Sequence, residues 1–311
     1  MRSAGKLVFL VAFSLSVAAR ADQDGRCPRL VNDILKQTRA PASLLPVSDL
    51  SAVPRVRDTL GLSVDDYGSL RATFAKAYAQ DAMRADLRQR LENTCEAEKL
   101  MAVLEWERGW TALHVMALEE AAQSPESAPG MQRFAADLRA NPPAEWRIAL
   151  ARRLDEATGS TVLAYAAFVQ PWLAVGKIAD AASLETLHAD PHKERAALQN
   201  RVLVRLLYTY RELAQSELET FVAWNESELG RWWNRTLQSA ALGSYDDAAA
   251  RYASLAEADL ARLRSRAARP AASEAEPAPT NTENPGASPG PAAPVSPVEP
   301  DEPTLPAEQA P

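Results

Sequence analysis

From Ser63 to Leu263 the apolar residues recur every three or four positions, a spacing that admits helices and little else. Ser63-Val64-Asp65-Asp66 reads as an N-cap with an acidic first turn, followed by Tyr67, Leu70, Phe74 and Tyr78. Met83, Leu87 and Leu91 continue at fours, and Leu100, Val103, Leu104, Trp110, Leu113 and Ala117 form the next stripe. Ser124 to Gly130 reads as a loop, and Asn141-Pro142-Pro143 closes the segment before it. Trp146 to Ala157 is helical and stops at Thr158-Gly159, where glycine suits the left-handed position past a helix end. Pro171 is expected to kink the segment 160–175. Leu198, Val202, Leu206, Tyr210 and Leu213 make a long apolar face, and Ser216-x-x-Glu219 reads as a capping box. Ser244 is expected to begin a last helix through Leu255, Leu260 and Leu263. No run of alternating β-branched residues competes, and the chain has three isoleucines. The class is all-α, a helical bundle core.

The two ends of the chain differ from this core. Residues 1–21 have the build of a secretory leader: Arg2 and Lys6, an apolar stretch from Leu7 to Val17, then Ala19-Arg20-Ala21 as a small-x-small cleavage site. The apolar stretch is too short for a permanent anchor, so the mature chain is expected to carry no integral membrane span. At the other end, 12 of the 22 prolines fall in residues 270–311, together with seven acidic residues and no base or aromatic. Such a segment cannot bury enough apolar surface to offset its ordering entropy. A disordered tail with polyproline II character is expected over 269–311.

Charge excludes one class of partner. The whole chain is −7; without Arg2, Lys6 and Arg20 the mature chain is −10, and the tail holds −7 of that. A core at −3 lacks the clustered bases that nucleic acid requires.

Only Cys27 and Cys95 are present, and in an exported chain they are expected to form one disulfide. It would close a 69-residue loop, for which loop-closure entropy gives about 4 kcal/mol as an upper figure.

A weak internal echo suggests two similar helical halves, 22–140 and 141–268. Ile34 and Thr38 match Leu154 and Thr158 at an offset of 120. Met83, Leu87 and Leu91 match Val202, Leu206 and Tyr210 at 119. Leu100, Val103 and Trp106 match Leu218, Phe221 and Trp224 at 118.

In residues 206–242, Tyr210, Glu217, Leu218, Phe221, Trp224, Ser227 and Gly230 form a pattern that resembles the DUF2059 family of bacterial exported, all-helical proteins. Glu228 stands where that family usually has proline, which implies a looser turn. The resemblance implies export and a helical fold, and it brings no activity. Physically the motif is a helix junction, with Ser227 placed to cap and Gly230 placed for a close backbone approach. Its functional reading is an aromatic surface made by Trp224, Trp232 and Trp233 for a peptide or glycan. Adjacent Trp232 and Trp233 lie about 100° apart on a helix, so at least one is expected at the edge of the core or exposed.

Signatures of chemistry are weak. Glu185, His188 and His192 have a metal-ligand spacing, but Pro191 interrupts the stretch, and no metal or other cofactor is expected. His114 reads as a half-buried neighbour of the core. Glu105, Glu107 and Arg108 read as a solvated helix face. There is no Gly-x-Ser-x-Gly, phosphate-binding glycine loop or His-Glu-x-x-His, and no catalytic residue is assigned. Asn225-Glu226-Ser227 and Asn234-Arg235-Thr236 fit the glycosylation sequon within helices. The expectation is a soluble periplasmic or secreted protein of a bacterial envelope with a structural or binding role toward envelope protein or cell-wall material. The alternatives are a cell-wall hydrolase with unidentified carboxylates and a chaperone-like binder of extended chains.

Overall fold

The computed structural model describes residues 25–37, 47–53, 55–177 and 191–267. The leader over 1–21 and the proline-rich tail over 269–311 lie outside them. Among the described residues every regular element is a helix. In chain order these are α1 (25–37), α2 (Val56–Thr59), α3 (Val64–Ala77), α4 (Gln80–Asn93), α5 (Ala97–Glu107) and α6 (Trp110–Gln123). There follow α7 (Ala128–Asp137), α8 (Glu145–Thr158), α9 (Ser160–Gly176), α10 (Pro191–Thr209), α11 (Gln215–Glu226) and α12 (Glu228–Ala267).

Several boundaries follow the predicted chemistry. Ser63 caps α3 by accepting the Asp66 N–H at 3.1 Å. Pro142-Pro143 precedes α8, and Gly159 ends it at φ 67°, a conformation that a side chain would disfavour.

Other boundaries differ, each for a local reason. The segment 124–130 is not one loop: Ala128-Pro129-Gly130 is already the first turn of α7, where proline's missing N–H costs nothing. The helix α9 runs on through Pro171. The cap of α11 lies two residues before the expected Ser216, because the Glu217 carboxylate accepts the Ala214 N–H at 3.0 Å. Alanine has no side-chain acceptor, so only half of a capping box forms. No helix begins at Ser244. Its hydroxyl donates to the Ala240 carbonyl at 2.9 Å within a continuous α12, which removes its competition with the backbone.

Cys27 and Cys95 lie at disulfide distance, with sulfurs 2.00 Å apart and Cα atoms 5.9 Å apart. The bond ties the start of α1 to the end of α4.

The apolar interior forms two clusters, and neither coincides with a half of the sequence. The first takes Val31 and Ile34 from α1, Leu70 and Phe74 from α3, Met83, Leu87 and Leu91 from α4, and Leu100 and Val103 from α5. It also takes Trp233, Tyr245 and Tyr252 from α12. The second takes Leu150 and Leu154 from α8, Leu206 and Tyr210 from α10, Leu218 and Val222 from α11, and Val115 from α6. The expected boundary at 140/141 is therefore not a packing boundary. Helix α12 packs on α3, α4 and α5, while α6 packs on α10 and α11. Helices α6 and α7 thus pack into the second cluster, and α9 and α12 contribute to the first.

Some positions aligned by the sequence echo meet in the structure. Lys99 Nζ lies 5.1 Å from the Trp232 ring centroid. Moving both positions by 118 between the halves gives Glu217 and His114, which are 3.1 Å apart. Trp106 maps onto Trp224, and these two rings stack on one another at 5.0 Å with planes 5° apart.

Candidate functional site

Two helix corners flank the Trp106–Trp224 stack. At the α11–α12 corner, Ser227 Oγ donates to the Trp224 carbonyl at 2.6 Å and accepts the Gly230 N–H at 3.0 Å. This is the capping role read from the sequence. A Cβ on Gly230 would stand 2.0 Å from the Trp224 carbonyl oxygen, so the corner closes only around glycine.

The aromatic surface expected from Trp224, Trp232 and Trp233 is not one face. Trp233 is 3% exposed and belongs to the first apolar cluster. Trp224 spends a ring face on Trp106. Trp232 lies at the edge, its Nε1 donating to Glu96 at 2.8 Å with Lys99 over the ring. The packing of α12 into the first cluster is what draws Trp233 inward. Asn225 is 2% exposed; its Nδ2 donates to the Phe221 carbonyl at 2.9 Å and its Oδ1 accepts from Asn234 at 3.0 Å. That burial closes the first sequon to a sugar in the folded chain.

The open aromatic residue is at the other corner. Trp110 is 68% exposed and Leu113 is 47% exposed. The sequence stripe had placed both on one face with Leu100 and Val103. Instead the chain breaks after Glu107, where the Gly109 N–H returns to the Trp106 carbonyl at 2.8 Å. The helical phase restarts at Trp110, and the residues of α6 that turn inward are Ala112 and Val115. The signal in the sequence was Gly109 between two tryptophans four residues apart. The Trp110 ring lies 5.1 Å from the His114 ring, whose Nδ1 meets Glu217. The Ala214 N–H, then His114, hold the Glu217 carboxyl below its ordinary range. The corner thus carries an indole, a leucine, an imidazole and a carboxylate on rigid helix ends. Such a group can stack on an apolar face of a ligand and hydrogen-bond its edge.

Glu107 departs from the expected solvated face. It is 8% exposed, and burial together with the neighbouring Glu119 pushes its carboxyl up to about 7. Burial also raises Glu119, whose carboxylate accepts the Tyr210 hydroxyl at 2.6 Å.

Elsewhere, a groove of about 520 Å³ lies between α4 and α12, lined by Asp86, Gln89, Arg90, Asn93, Asp247 and Arg251. Its charges pair across the groove: Arg90 holds Asp247 in a fork at 3.0 and 2.9 Å, and Arg251 holds Asp86 at 2.5 Å. These pairs fasten α12 to α4. Among the described residues no group of three or more His, Cys, Asp or Glu could hold a metal ion. Glu185 and His188 lie outside the described residues, as does the His192 side chain. No described helix is long and apolar enough to cross a membrane.

Fold and corners together define an all-helical bundle whose two apolar clusters each draw helices from both sides of residue 140. No family model, curated protein or solved structure matches the chain.

Proposed function

We propose that this protein is exported to the bacterial envelope and acts there as a binding module, meeting envelope protein or cell-wall material through the α5–α6 corner. The observation that carries the reading is Trp110, a large aromatic side chain left 68% exposed on a rigid corner. An indole so placed gains contact area on binding while losing little conformational entropy. The leader-like residues 1–21 and the cysteine pair at disulfide distance support export, as does the resemblance of residues 206–242 to the DUF2059 family. The acidic proline-rich tail serves as a spacer or as a strand for a partner. The hydrolase reading draws no support from the close carboxyls Glu107 and Glu119, since Glu107 is packed between helices where a polymer could not reach it.

The test is retention of the mature chain on isolated cell-wall sacculi and on envelope protein extract. Trp110→Ala should lower retention on one of them at least tenfold and leave the thermal midpoint unchanged, because the side chain is outside the core. Leu255→Ala, an exposed residue of α12, is the control. Equal retention of wild type and Trp110→Ala on both would sink the proposal.

A further inference from the structure

The α5–α6 corner sets apolar surface and hydrogen-bonding atoms side by side. The Trp110 and His114 rings lie 5.1 Å apart with planes 55° apart, so the imidazole is tilted against the indole instead of stacked on it. The indole stays 68% exposed, and Leu113, one turn on along the same side of α6, stays 47% exposed.

The polar edge is pinned from a second helix. Glu217, in the first turn of α11, accepts the Ala214 N–H at 3.0 Å on one carboxylate oxygen and meets His114 Nδ1 at 3.1 Å on the other. The same two contacts hold its carboxyl below the ordinary range, so Glu217 is ionised and can only accept. The proton between them therefore sits on Nδ1, and Nε2 of the uncharged ring is left as an acceptor. Among the described residues nothing hydrogen-bonds to that Nε2.

Size separates the two kinds of partner that the binding reading names. Trp110 and Leu113 together offer roughly 200 Å² of apolar surface. The helices packed on α6 are α5, α10 and α11, and among the described residues the one other large apolar side chain they expose is Met101 of α5. Even with that methionine added, the patch falls well short of the about 800 Å² that a protein partner covers on each side, built around an apolar centre. A sugar ring asks for less. It has one flat C–H face that an indole can cover, and a rim of hydroxyls that imidazole nitrogen and carboxylate oxygen can accept.

Resting on the binding reading, we infer that this corner is a saccharide site. The flat face of a neutral sugar ring lies on Trp110, its hydroxyls donate to His114 Nε2 and the Glu217 carboxylate, and Leu113 meets a methyl-bearing substituent such as an acetamido group. The Glu217 charge disfavours an acidic sugar. The partner is then the glycan of cell-wall material, and neither its peptide nor an envelope protein. One ring held this way gives a dissociation constant on the order of 1 mM, so firm retention needs a strand with many units.

The experiment titrates the full mature chain, ¹⁵N-labelled and with its disulfide intact. The probes are the β-1,4-linked trimer of N-acetylglucosamine and, separately, peptide-free glycan strands from sacculi, each to about 10 mM in sugar units. The indole N–H resonance of Trp110, identified as the one missing in Trp110→Phe, should shift. That of Trp232, whose Nε1 is bonded to Glu96, should stay. Trp110→Ala should weaken binding at least tenfold and His114→Ala at least threefold, with the fold checked by thermal midpoint. Unchanged binding in either variant would overturn the site. So would a Trp110 resonance that stays in place with both probes, or shifts confined to other tryptophans. If Trp110→Ala then still loses retention on envelope protein extract, the binding reading stands and the saccharide assignment falls. If it loses retention on neither sacculi nor extract, both fall.

Discussion

The stretches on either side of residue 140 are fastened in different ways. In the first half a cysteine pair ties the start of α1 to the end of α4, at Cys27 and Cys95. The displacement of 120 that relates Ile34 to Leu154 carries Cys27 to Arg147, and the displacement of 118 that relates Leu100 to Leu218 carries Cys95 to Leu213. In the second half Arg147 donates to the Tyr210 carbonyl at 2.6 Å and to the Leu213 carbonyl at 2.9 Å. A covalent tie and a guanidinium fork thus fall at positions that the sequence echo aligns. They work on different states. The cross-link chiefly restricts the unfolded chain, whereas the fork satisfies carbonyls left open at the end of α10 in the folded one. Replacing both cysteines by serine should cost about 4 kcal/mol in denaturant unfolding, and Arg147→Ala about 2 kcal/mol. Reducing agent should destabilise the wild type and the Arg147→Ala variant equally. Equal costs for the two replacements would break the contrast between the joints.

The corners on either side of the tryptophan stack offer a second contrast. A Cβ at Gly230 would meet the Trp224 carbonyl oxygen at 2.0 Å and the Asn225 Cα at 2.9 Å, both backbone atoms that cannot swing away. At Gly109 the close contact is the Trp106 carbonyl oxygen at 2.9 Å. Neither glycine has a positive φ, so the demand is for space rather than for an unusual conformation. Gly230→Ala should cost about 3 kcal/mol and Gly109→Ala about 1 kcal/mol by equilibrium unfolding. Similar values would show that the α5–α6 corner is as closed as its counterpart.

How much of this could be read from the sequence depended on whether the deciding contact was local. The Ser63 cap, the stop at Gly159 and the Pro142-Pro143 boundary rest on the chemistry of neighbouring residues, and all three were legible. The α12 helix passing through Gly243 and Ser244 was not. What faces Gly243 is the Arg90 guanidinium, more than 150 positions away, whose fork to Asp247 holds the helix there. The burial of Glu107 was hidden for the same reason. A pair of glutamates beside an arginine reads as solvated until α6 is known to pack on α10 and α11. Trp110 was misplaced by one local event, the restart of helical phase after Gly109, which a continuous stripe conceals. The echo pointed to related halves, yet a displacement between positions says nothing about which helix packs in which core.

The smallest expected effect is the most direct probe of that relation. Trp106 and Trp224 are counterparts 118 positions apart, and they stack with ring centroids at 5.0 Å. The echo also relates the contact of Lys99 with Trp232 to that of His114 with Glu217. The stack joins α5 directly to α11. Each leucine replacement alone also changes packing against its own helix, and neither single value isolates the joint. A double-mutant cycle of Trp106→Leu and Trp224→Leu removes those private terms and should leave a coupling of about 1 kcal/mol. The same cycle on Trp106 and the exposed Trp110 should give a coupling near zero, although these two are only four residues apart. Additive losses at 106 and 224 would mean that the rings share a site without sharing energy.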